Sequence, residues 1–161
     1  MRFPTTVIFG NSDAGKSTYA KRLAASQQAT HLVLDSLGWE ATNLPTRRSL
    51  EASTTEIEQF IQANSNWVIE GCYADLLAVA LAHAEQAIFL NPGVQQCVDN
   101  AKARPWEEHK YPSKEAQAQN LTMLIDWITP YDQRSDEFSL KAHQQLFDNF
   151  QPSKTELTAN A

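Results

Sequence analysis

Short apolar runs alternate with longer segments of helical periodicity along the first two thirds of the chain. The runs are continuously apolar and rich in β-branched and aromatic side chains, which is typical of strands buried on both faces of a parallel sheet. Strands that alternate with helices indicate right-handed βαβ units. They predict an α/β fold of three layers (α/β/α) around a central, mainly parallel sheet of 4–5 strands. The predicted strands are residues 6–9, 30–35, 67–71 and 87–90, and the predicted helices are residues 17–24, 46–64, 74–84 and 94–104.

The last third of the chain has a different pattern. Residues 105–113 are polar and aromatic without strand periodicity, whereas residues 114–128 carry apolar side chains at helical spacing. Residues 139–150 are predicted as a further helix, but residues 145–150 are also compatible with a short fifth strand. Residues 151–161 are predicted as a frayed C-terminal tail.

One polar stretch carries a specific chemical signature. Residues 10–17, GNSDAGKS, fit the pattern G-x-x-x-x-G-K-[ST] at every fixed position, after a predicted strand and before a predicted helix. This context separates a phosphate-binding loop from a chance match. The glycines allow backbone N–H groups to converge on phosphate oxygens, and the positive end of the helix dipole adds to the attraction. The alternative is a glycine-rich turn that binds nothing.

The side chains of this loop predict ATP and Mg²⁺ as cofactors. Lys16 supplies a mobile positive charge for the β- and γ-phosphates, and Ser17 supplies a hydroxyl for Mg²⁺. Asp13 is unusual, because a carboxylate beside a triphosphate costs affinity unless it points to solvent. Asp tolerates the left-handed backbone conformation, so binding is expected to survive. The predicted nucleotide-binding residues are Gly10, Asn11, Ser12, Asp13, Ala14, Gly15, Lys16, Ser17 and Thr18.

Polar residues follow three of the predicted strands. Asp35 ends the second strand, Glu70 lies near the end of the third, and Asn91 follows the fourth. In parallel α/β sheets the ligand crevice lies beyond the carboxyl ends of the strands. We therefore expect these side chains to converge near the loop at residues 10–17.

The composition narrows the class of partner. Of 161 residues, 42% are hydrophobic and 20% are charged, as in ordinary globular proteins, and the net charge of −6 argues against a dedicated nucleic-acid binder. Two cysteines, Cys72 and Cys97, are too few for a disulfide framework and are expected to be thiols in a reducing cytosol. The sequence shows no signal peptide and no apolar run of membrane length, so we expect a cytoplasmic protein without a membrane partner.

Three stretches together resemble the small P-loop kinases of the adenylate kinase and shikimate kinase superfamily. They are residues 10–18 (GNSDAGKST), 34–39 (LDSLGW) and 67–73 (WVIEGCY). The last is similar to the pattern W-V-I-[DE]-G-x-Y of the adenylate-kinase-related proteins, also described as DNA topology modulation (FlaR-like) proteins, and this group is the closest in pattern. The resemblance covers about residues 5–104 and implies a P-loop NTPase fold in a kinase-like domain over residues 1–150.

The resemblance implies roles for two strand-end acids. Glu70 lies where nucleotide kinases place the acid that holds Mg²⁺ through water, so that Ser17 and Glu70 form the implied metal site. Its alternative is a helix cap or a surface acid. Asp35 lies where shikimate kinases have an acid that touches the acceptor hydroxyl or the metal, and a carboxylate there could orient or deprotonate that hydroxyl. Its alternative is an acid that caps the next loop.

The resemblance also implies an acceptor side. Arg47 and Arg48 lie in the segment that forms the acceptor-side helix of these kinases, where they could hold a carboxylate or phosphate, or simply begin a solvated helix. Trp39 and Tyr73 could line the acceptor pocket, or pack against the sheet. Shikimate kinases carry three glycines after the third strand; here Gly71 is followed by Cys72 and Tyr73, so a shikimate kinase is poorly supported. The implied acceptor-binding residues are Asp35, Trp39, Arg47, Arg48, Gly71 and Tyr73.

The implied lid is poor in arginine. Active kinases of this superfamily usually carry several lid arginines that clamp the transferring phosphoryl group. The corresponding region here, residues 104–113, has one, Arg104, which joins Lys16 and Asp35 in the implied catalytic set; Arg134 lies further along the chain. The first hypothesis is a Mg²⁺-ATP-dependent kinase acting on a small metabolite or nucleotide. The second is a nucleotide-binding regulatory protein with little or no kinase activity. DNA binding, suggested by the FlaR-like label alone, is opposed by the acidic charge.

Overall fold

The computed structural model describes residues 3–34, 49–109, 111–151 and 153–160. Its strands are β1 (Thr6–Gly10), β2 (Thr30–Val33), β3 (Trp67–Gly71), β4 (Gln86–Leu90) and β5 (Ser153–Leu157). They form one sheet in the order β2-β3-β1-β4-β5, and every neighbouring pair is parallel. The α/β fold with a parallel central sheet, predicted from the alternation of strands and helices, is confirmed.

Helices cover both faces of this sheet. Among the described residues they are α1 (Lys16–Gln27), α2 (Leu50–Ala63), α3 (Ala74–Leu81), α4 (Val94–Lys102), α5 (Lys114–Ile128), a 3₁₀ helix (Thr129–Asp132) and α6 (Leu140–Asn149). α5 has the bounds that its apolar spacing predicts. It begins there because the hydroxyl of Ser113 accepts a hydrogen bond from the backbone N–H of Ala116 and so caps the helix.

Strand β1 lies in the middle of the sheet and is buried along its whole length. Because successive side chains point to opposite faces, β1 contributes to two separate cores. Val7 and Phe9 pack in a core with α2, α3 and α6, and Ile8 packs in a core with α1, α4 and α5. This is the three-layer arrangement expected from the sequence, and it packs β1 between helices on both faces.

The end of the chain corrects two expectations. Residues 145–150 belong to α6 and to the residue that caps it, so the alternative fifth strand at that position is wrong. The fifth strand is instead β5, within the stretch predicted as a frayed tail, and it pairs with β4 from Gln86↔Ser153 to Leu90↔Leu157. The sequence SKTEL has no apolar run because β5 is an edge strand, so the pattern of a buried strand could not reveal it.

A buried histidine joins α6 to the end of β3. The ring of His143 lies between two polar partners, since its Nε2 donates to the carbonyl oxygen of Cys72 at 2.8 Å and its Nδ1 accepts from the hydroxyl of Tyr131 at 2.7 Å. The rings of Phe9 and Phe89 pack against it. Burial lowers the pKa of His143 from 6.5 to about 4, so this histidine is neutral in the folded protein near neutral pH.

Both cysteines are thiols, as expected, and no disulfide joins them. Cys72 packs in the core below α3, and Cys97 packs in the core below α4. Burial raises the pKa of Cys97 to about 11, so its thiolate, the reactive form, is scarce at neutral pH. Among the helices of the described residues, none combines the length and the apolar character needed to cross a membrane.

Candidate functional site

The predicted phosphate loop connects β1 to α1 at the carboxyl edge of the sheet. Gly10 lies so close to β4 that a Cβ atom would collide with the carbonyl oxygen of Leu90, and Gly15 has a φ of +93° at the start of α1. No side chain caps that helix end. The first N–H groups of a helix have no intrahelical partner, so those of Lys16, Ser17 and Thr18 are available to a ligand oxygen. The backbone therefore has the form of an anion-binding cradle.

Lys16 lies inside this cradle. It is 8% exposed, and its Nζ donates a hydrogen bond of 2.6 Å to the backbone oxygen of Asn11. The side chain of Asn11 stiffens the loop, because its Oδ1 accepts from the N–H of Ser12 and its Nδ2 donates to the carbonyl of Ile128. A positive charge and several N–H groups thus face the same small volume.

The hydroxyl of Ser17 contacts the acid that was predicted to share its metal site. Ser17 Oγ donates to Glu70 Oε1 at 2.8 Å, and the carboxylate of Glu70, at the end of β3, is 2% exposed. The second oxygen of Glu70 lies 2.6 Å from Nε2 of His31 on β2. The structure therefore brings Ser17 and Glu70 together, as predicted, and adds a histidine that sequence reasoning missed.

Asp13 does not point to solvent. Its side chain is 3% exposed, and Oδ1 forms a 2.6 Å ion pair with the guanidinium of Arg104, which also contacts Glu107 at 3.1 Å. Burial raises the pKa of Asp13 above its ordinary value, although the nearby charges of Arg104 and Lys16 lower it. The loop thus tolerates this acid because a cation pairs with it. Its φ of 59° confirms the left-handed backbone expected at this position.

We predict that replacing Arg104 with alanine destabilises the protein by about 1–2 kcal/mol. Breaking a buried ion pair leaves an uncompensated charge, and the partial exposure of Arg104 reduces the cost below that of a fully buried pair. Chemical denaturation of Arg104→Ala measures the loss. Adding Asp13→Asn in the same chain removes the unpaired charge and should recover most of it, whereas Lys102→Ala, on an exposed side chain nearby, should change little. Equal stability of Arg104→Ala and the wild type would contradict the prediction.

A cleft of about 650 Å³ extends from the loop along the carboxyl edge of the sheet. Its walls include Glu70 and Arg104 as well as Asn100 on α4 and Asn160 after β5. The amide groups of the two asparagines bond each other in both directions at 3.0 Å, and Asn100 also donates to the backbone oxygen of Asp13. The cleft has the size of a typical small-molecule site, with its strongest charges at the loop.

Two predicted acceptor-side residues lie in the core. A Cβ on Gly71 would meet the side chain of Leu34 at 2.8 Å, so this glycine is needed for close packing. Tyr73 is 4% exposed and packs edge-on against Phe138 with ring centroids 4.8 Å apart, which is the packing alternative given for it above. The other predicted acceptor residues, Asp35, Trp39, Arg47 and Arg48, lie outside the described residues, as does Lys110 of the lid-like region.

Two further polar residues, Asn91 and Arg134, make their contacts outside the cleft. Asn91 does not join the cleft described here, because its Nδ2 donates to Glu156 and its N–H donates to the carbonyl of Leu157, which ties it to β5. Arg134 stacks over the ring of Trp127 at 4.1 Å and donates to the backbone oxygen of the same residue. Among the described residues, two arginines line the cleft at the loop: Arg22 on α1 and Arg104 of the lid-like region.

Sequence reasoning missed three polar residues that line the cleft, Arg22, Asn100 and Asn160, and also missed His31, which contacts Glu70. In the sequence His31 is distinguished only as a polar residue within a predicted strand, and its contact with Glu70 depends on the register of β2 on β3. For Asn160 no signal existed, because its place follows from β5. Asn100 is one of several polar residues on α4, and only packing against the loop distinguishes it.

No protein-family model matches the chain, and no curated protein matches it. Solved structures do. A deoxyadenosine kinase from M. mycoides with bound dATP is similar with a TM-score of 0.54 and 12% identity, over 100% of this chain and 92% of that chain. A shikimate kinase from Acinetobacter baumannii in complex with shikimate has a TM-score of 0.46 and 13% identity, over 89% of this chain and 91% of that chain. A shikimate kinase from Aquifex aeolicus has a TM-score of 0.49 and 12% identity, over 94% of this chain and 86% of that chain. At such identities the likeness concerns the fold alone.

Proposed function

We propose that the chain binds Mg²⁺-ATP at the loop of residues 10–17 and transfers the terminal phosphoryl group to a small hydroxylated metabolite or to a nucleotide. The observation that carries the proposal is the 2.8 Å hydrogen bond between Ser17 and the buried carboxylate of Glu70. A glycine-rich turn that binds nothing does not require a buried acid from another strand beside the hydroxyl of Ser17. A nucleotide loop does, because that hydroxyl and that acid serve the metal.

The donor set fits Mg²⁺. Magnesium prefers hard oxygen ligands, keeps several waters and is commonly held by one or two protein groups together with phosphate oxygens. Ser17 and Glu70 supply a hydroxyl and a carboxylate, and the described residues contain no cluster of three or more His, Cys, Asp or Glu side chains that would hold a metal without a nucleotide. When bound, Mg²⁺ neutralises charge on the phosphates during transfer.

The other groups of the cradle have separate roles in this proposal. Lys16 exchanges its contact with Asn11 for phosphate oxygens, and the N–H groups at the start of α1 hold the same phosphates. The carboxylate of Asp35, outside the described residues, orients or accepts the proton of the acceptor hydroxyl. Support for a small acceptor comes from the deoxyadenosine kinase, whose name gives a nucleoside as its substrate and whose fold this chain shares. Membership of the FlaR-like group, and a cytoplasmic location, remain predictions from the sequence.

A nucleotide-binding regulatory protein is the second candidate. One observation favours it: the guanidinium of Arg104, the arginine of the lid-like region, is paired with the carboxylates of Asp13 and Glu107. A kinase needs that arginine, or another cation, to reach the transferring group. Transfer of labelled phosphate from ATP to a panel of hydroxylated metabolites and nucleoside monophosphates separates the candidates, because the regulatory protein binds ATP and gives no labelled product.

For the metal site we predict that Glu70→Gln raises the Mg²⁺ concentration needed for half-maximal ATP binding by about tenfold. The substitution removes a negative charge and almost no volume, so ATP binding in EDTA should change by less than about twofold. Calorimetric titration of ATP at a series of Mg²⁺ concentrations measures both quantities. Glu58→Gln, at an exposed position of α2, is the matched control. An unaltered Mg²⁺ titration in Glu70→Gln would return this acid to a purely structural role.

A further inference from the structure

The carboxylate of Glu70 has a second partner that the proposed function does not use. His31 lies on β2 opposite Val68 of β3, and Val68 and Glu70 lie two residues apart on the same strand. Residues two apart share one face of a sheet, so His31 and Glu70 lie on the same face, toward α1 and its Ser17. Across this face Nε2 of His31 approaches Oε2 of Glu70 to 2.6 Å.

We propose that His31 is the positioning residue of the metal site: it holds one oxygen of Glu70, so that the other is fixed as the acceptor for Ser17. This inference rests on the function proposed above. It assigns to His31 no contact with metal or nucleotide. His31 acts through Glu70, and Glu70 acts through Ser17.

The donor and the acceptor can be assigned for each hydrogen bond in this series of contacts. An ionised carboxylate can only accept hydrogen bonds, so Nε2 is the nitrogen of His31 that carries the hydrogen. The hydroxyl of Ser17 likewise donates to Oε1. Because Ser17 donates its hydroxyl hydrogen to Glu70, the lone pairs of the Ser17 oxygen remain available, and a cation binds to such lone pairs. The arrangement thus orients the Ser17 hydroxyl as a metal ligand in advance.

Burial explains why a second partner is needed. Glu70 is 2% exposed, and water cannot satisfy both of its oxygens. A buried carboxylate oxygen without a donor is costly, so without His31 the carboxylate would turn to find one and would release Ser17. His31 has 16% of its side chain exposed, at the edge of the sheet, and is held there by the pairing of β2 with β3. Removing a group that orients a metal ligand through a hydrogen bond, without contacting the metal itself, commonly changes metal affinity by 10–100-fold.

Three substitutions at one position test the proposal. His31→Leu removes the donor; His31→Asn keeps an amide that is too short to replace Nε2; His31→Gln places an amide nitrogen at the distance of Nε2. We expect the Mg²⁺ concentration for half-maximal ATP binding to rise about tenfold in His31→Leu and His31→Asn, and to return to within about threefold of the wild type in His31→Gln. In EDTA, all three should bind ATP as the wild type does. His83→Leu, on an exposed histidine, controls for the chemistry of the replacement.

A second measurement is independent of ATP affinity. With Mn²⁺ in place of Mg²⁺, the electron paramagnetic resonance spectrum of the Mn²⁺-ATP complex reports the symmetry of its ligands. We expect His31→Leu and His31→Asn to share a spectrum that differs from that of the wild type, and His31→Gln to resemble the wild type. Because His31→Asn and His31→Gln are both polar, their comparison holds even where the leucine variant fails to fold.

The possible failures are distinguishable. Wild-type protein that binds no ATP, with or without Mg²⁺, overturns the proposed function and this inference together. Wild-type binding that depends on Mg²⁺, with the same midpoint in His31→Asn as in the wild type, overturns the inference alone. An equal loss of affinity in Mg²⁺ and in EDTA also overturns it, since His31 would then support the fold of the site rather than the metal ligand.

Discussion

Replacing Lys16 with alanine is expected to abolish the stabilisation that ATP gives to the folded chain. A ligand that binds only the folded state stabilises it by about 2.7 kcal/mol at a hundredfold excess over its dissociation constant. For a chain of this size that corresponds to a rise of roughly 5–10 °C in melting temperature. Lys16 provides the charge inside the cradle, and its ammonium contacts one loop carbonyl, so little of the fold depends on it. The variant should therefore melt near the wild-type temperature without ATP and show no rise with it.

The measurement is a thermal unfolding series with and without Mg²⁺-ATP. Lys21→Ala is the matched control, because Lys21 lies on the same helix, carries the same charge and is exposed. It should keep the full ATP-dependent rise. A Lys16→Ala variant that keeps this rise would show that the loop of residues 10–17 is not the nucleotide site.

The second large effect concerns pH and the buried His143. In an unfolded chain a histidine has a pKa near 6.5, whereas in the fold burial lowers the pKa of His143 to about 4. Between these two values the unfolded chain binds a proton that the folded chain does not. The free energy of unfolding therefore falls as the pH falls through this window, by roughly 3 kcal/mol in total, and this contribution is constant above it. Acid should destabilise the protein before most carboxylates are protonated.

Comparison with His143→Gln isolates that contribution. Glutamine does not titrate, and its amide nitrogen can still donate to the carbonyl of Cys72, as Nε2 of His143 does. Denaturation at several pH values between 7 and 4 should give a steeper decline for the wild type than for the variant. Proton NMR of the wild-type ring provides a second check: the His143 signals should stay at their neutral positions until the pH approaches 4. Parallel pH profiles, together with a ring that titrates near 6.5, would contradict the prediction.

The sequence was sufficient to predict the fold and the position of the loop of residues 10–17 between a strand and a helix, because both depend on local patterns. Continuous apolar runs predict buried parallel strands, and the spacing of Gly10, Gly15, Lys16 and Ser17 follows from the geometry of a loop around phosphate. We expected Glu70 near this loop because the carboxyl ends of parallel strands meet at one edge of the sheet, and the resemblance to the small P-loop kinases implied the metal site that it shares with Ser17. The structure brings Ser17 and Glu70 to hydrogen-bonding distance.

What the sequence could not provide depends on contacts between distant segments. Asp13 and Arg104 are far apart in the sequence, and only the packing of α4 on the loop brings them together. The ion pair that compensates the charge of Asp13 could therefore not be predicted. The pairing of His31 with Glu70 requires the register of β2 on β3. On the acceptor side, the sequence left both a binding role and a packing role open for Tyr73, and its contact with Phe138 is a packing contact.

The last strand joins the sheet from the far end of the chain. β4 ends at Leu90 and β5 begins at Ser153, so about 60 residues must be synthesised before the outer edge of β4 can be covered. At 5–20 residues per second, that interval lasts roughly 3–12 seconds. During it, the backbone groups of an apolar strand form an open edge, which is the kind that pairs with other nascent chains. The risk of aggregation is therefore concentrated in this interval of synthesis. The interval ends when β5 pairs with β4 and becomes the edge strand of the sheet, with the charged residues Lys154 and Glu156.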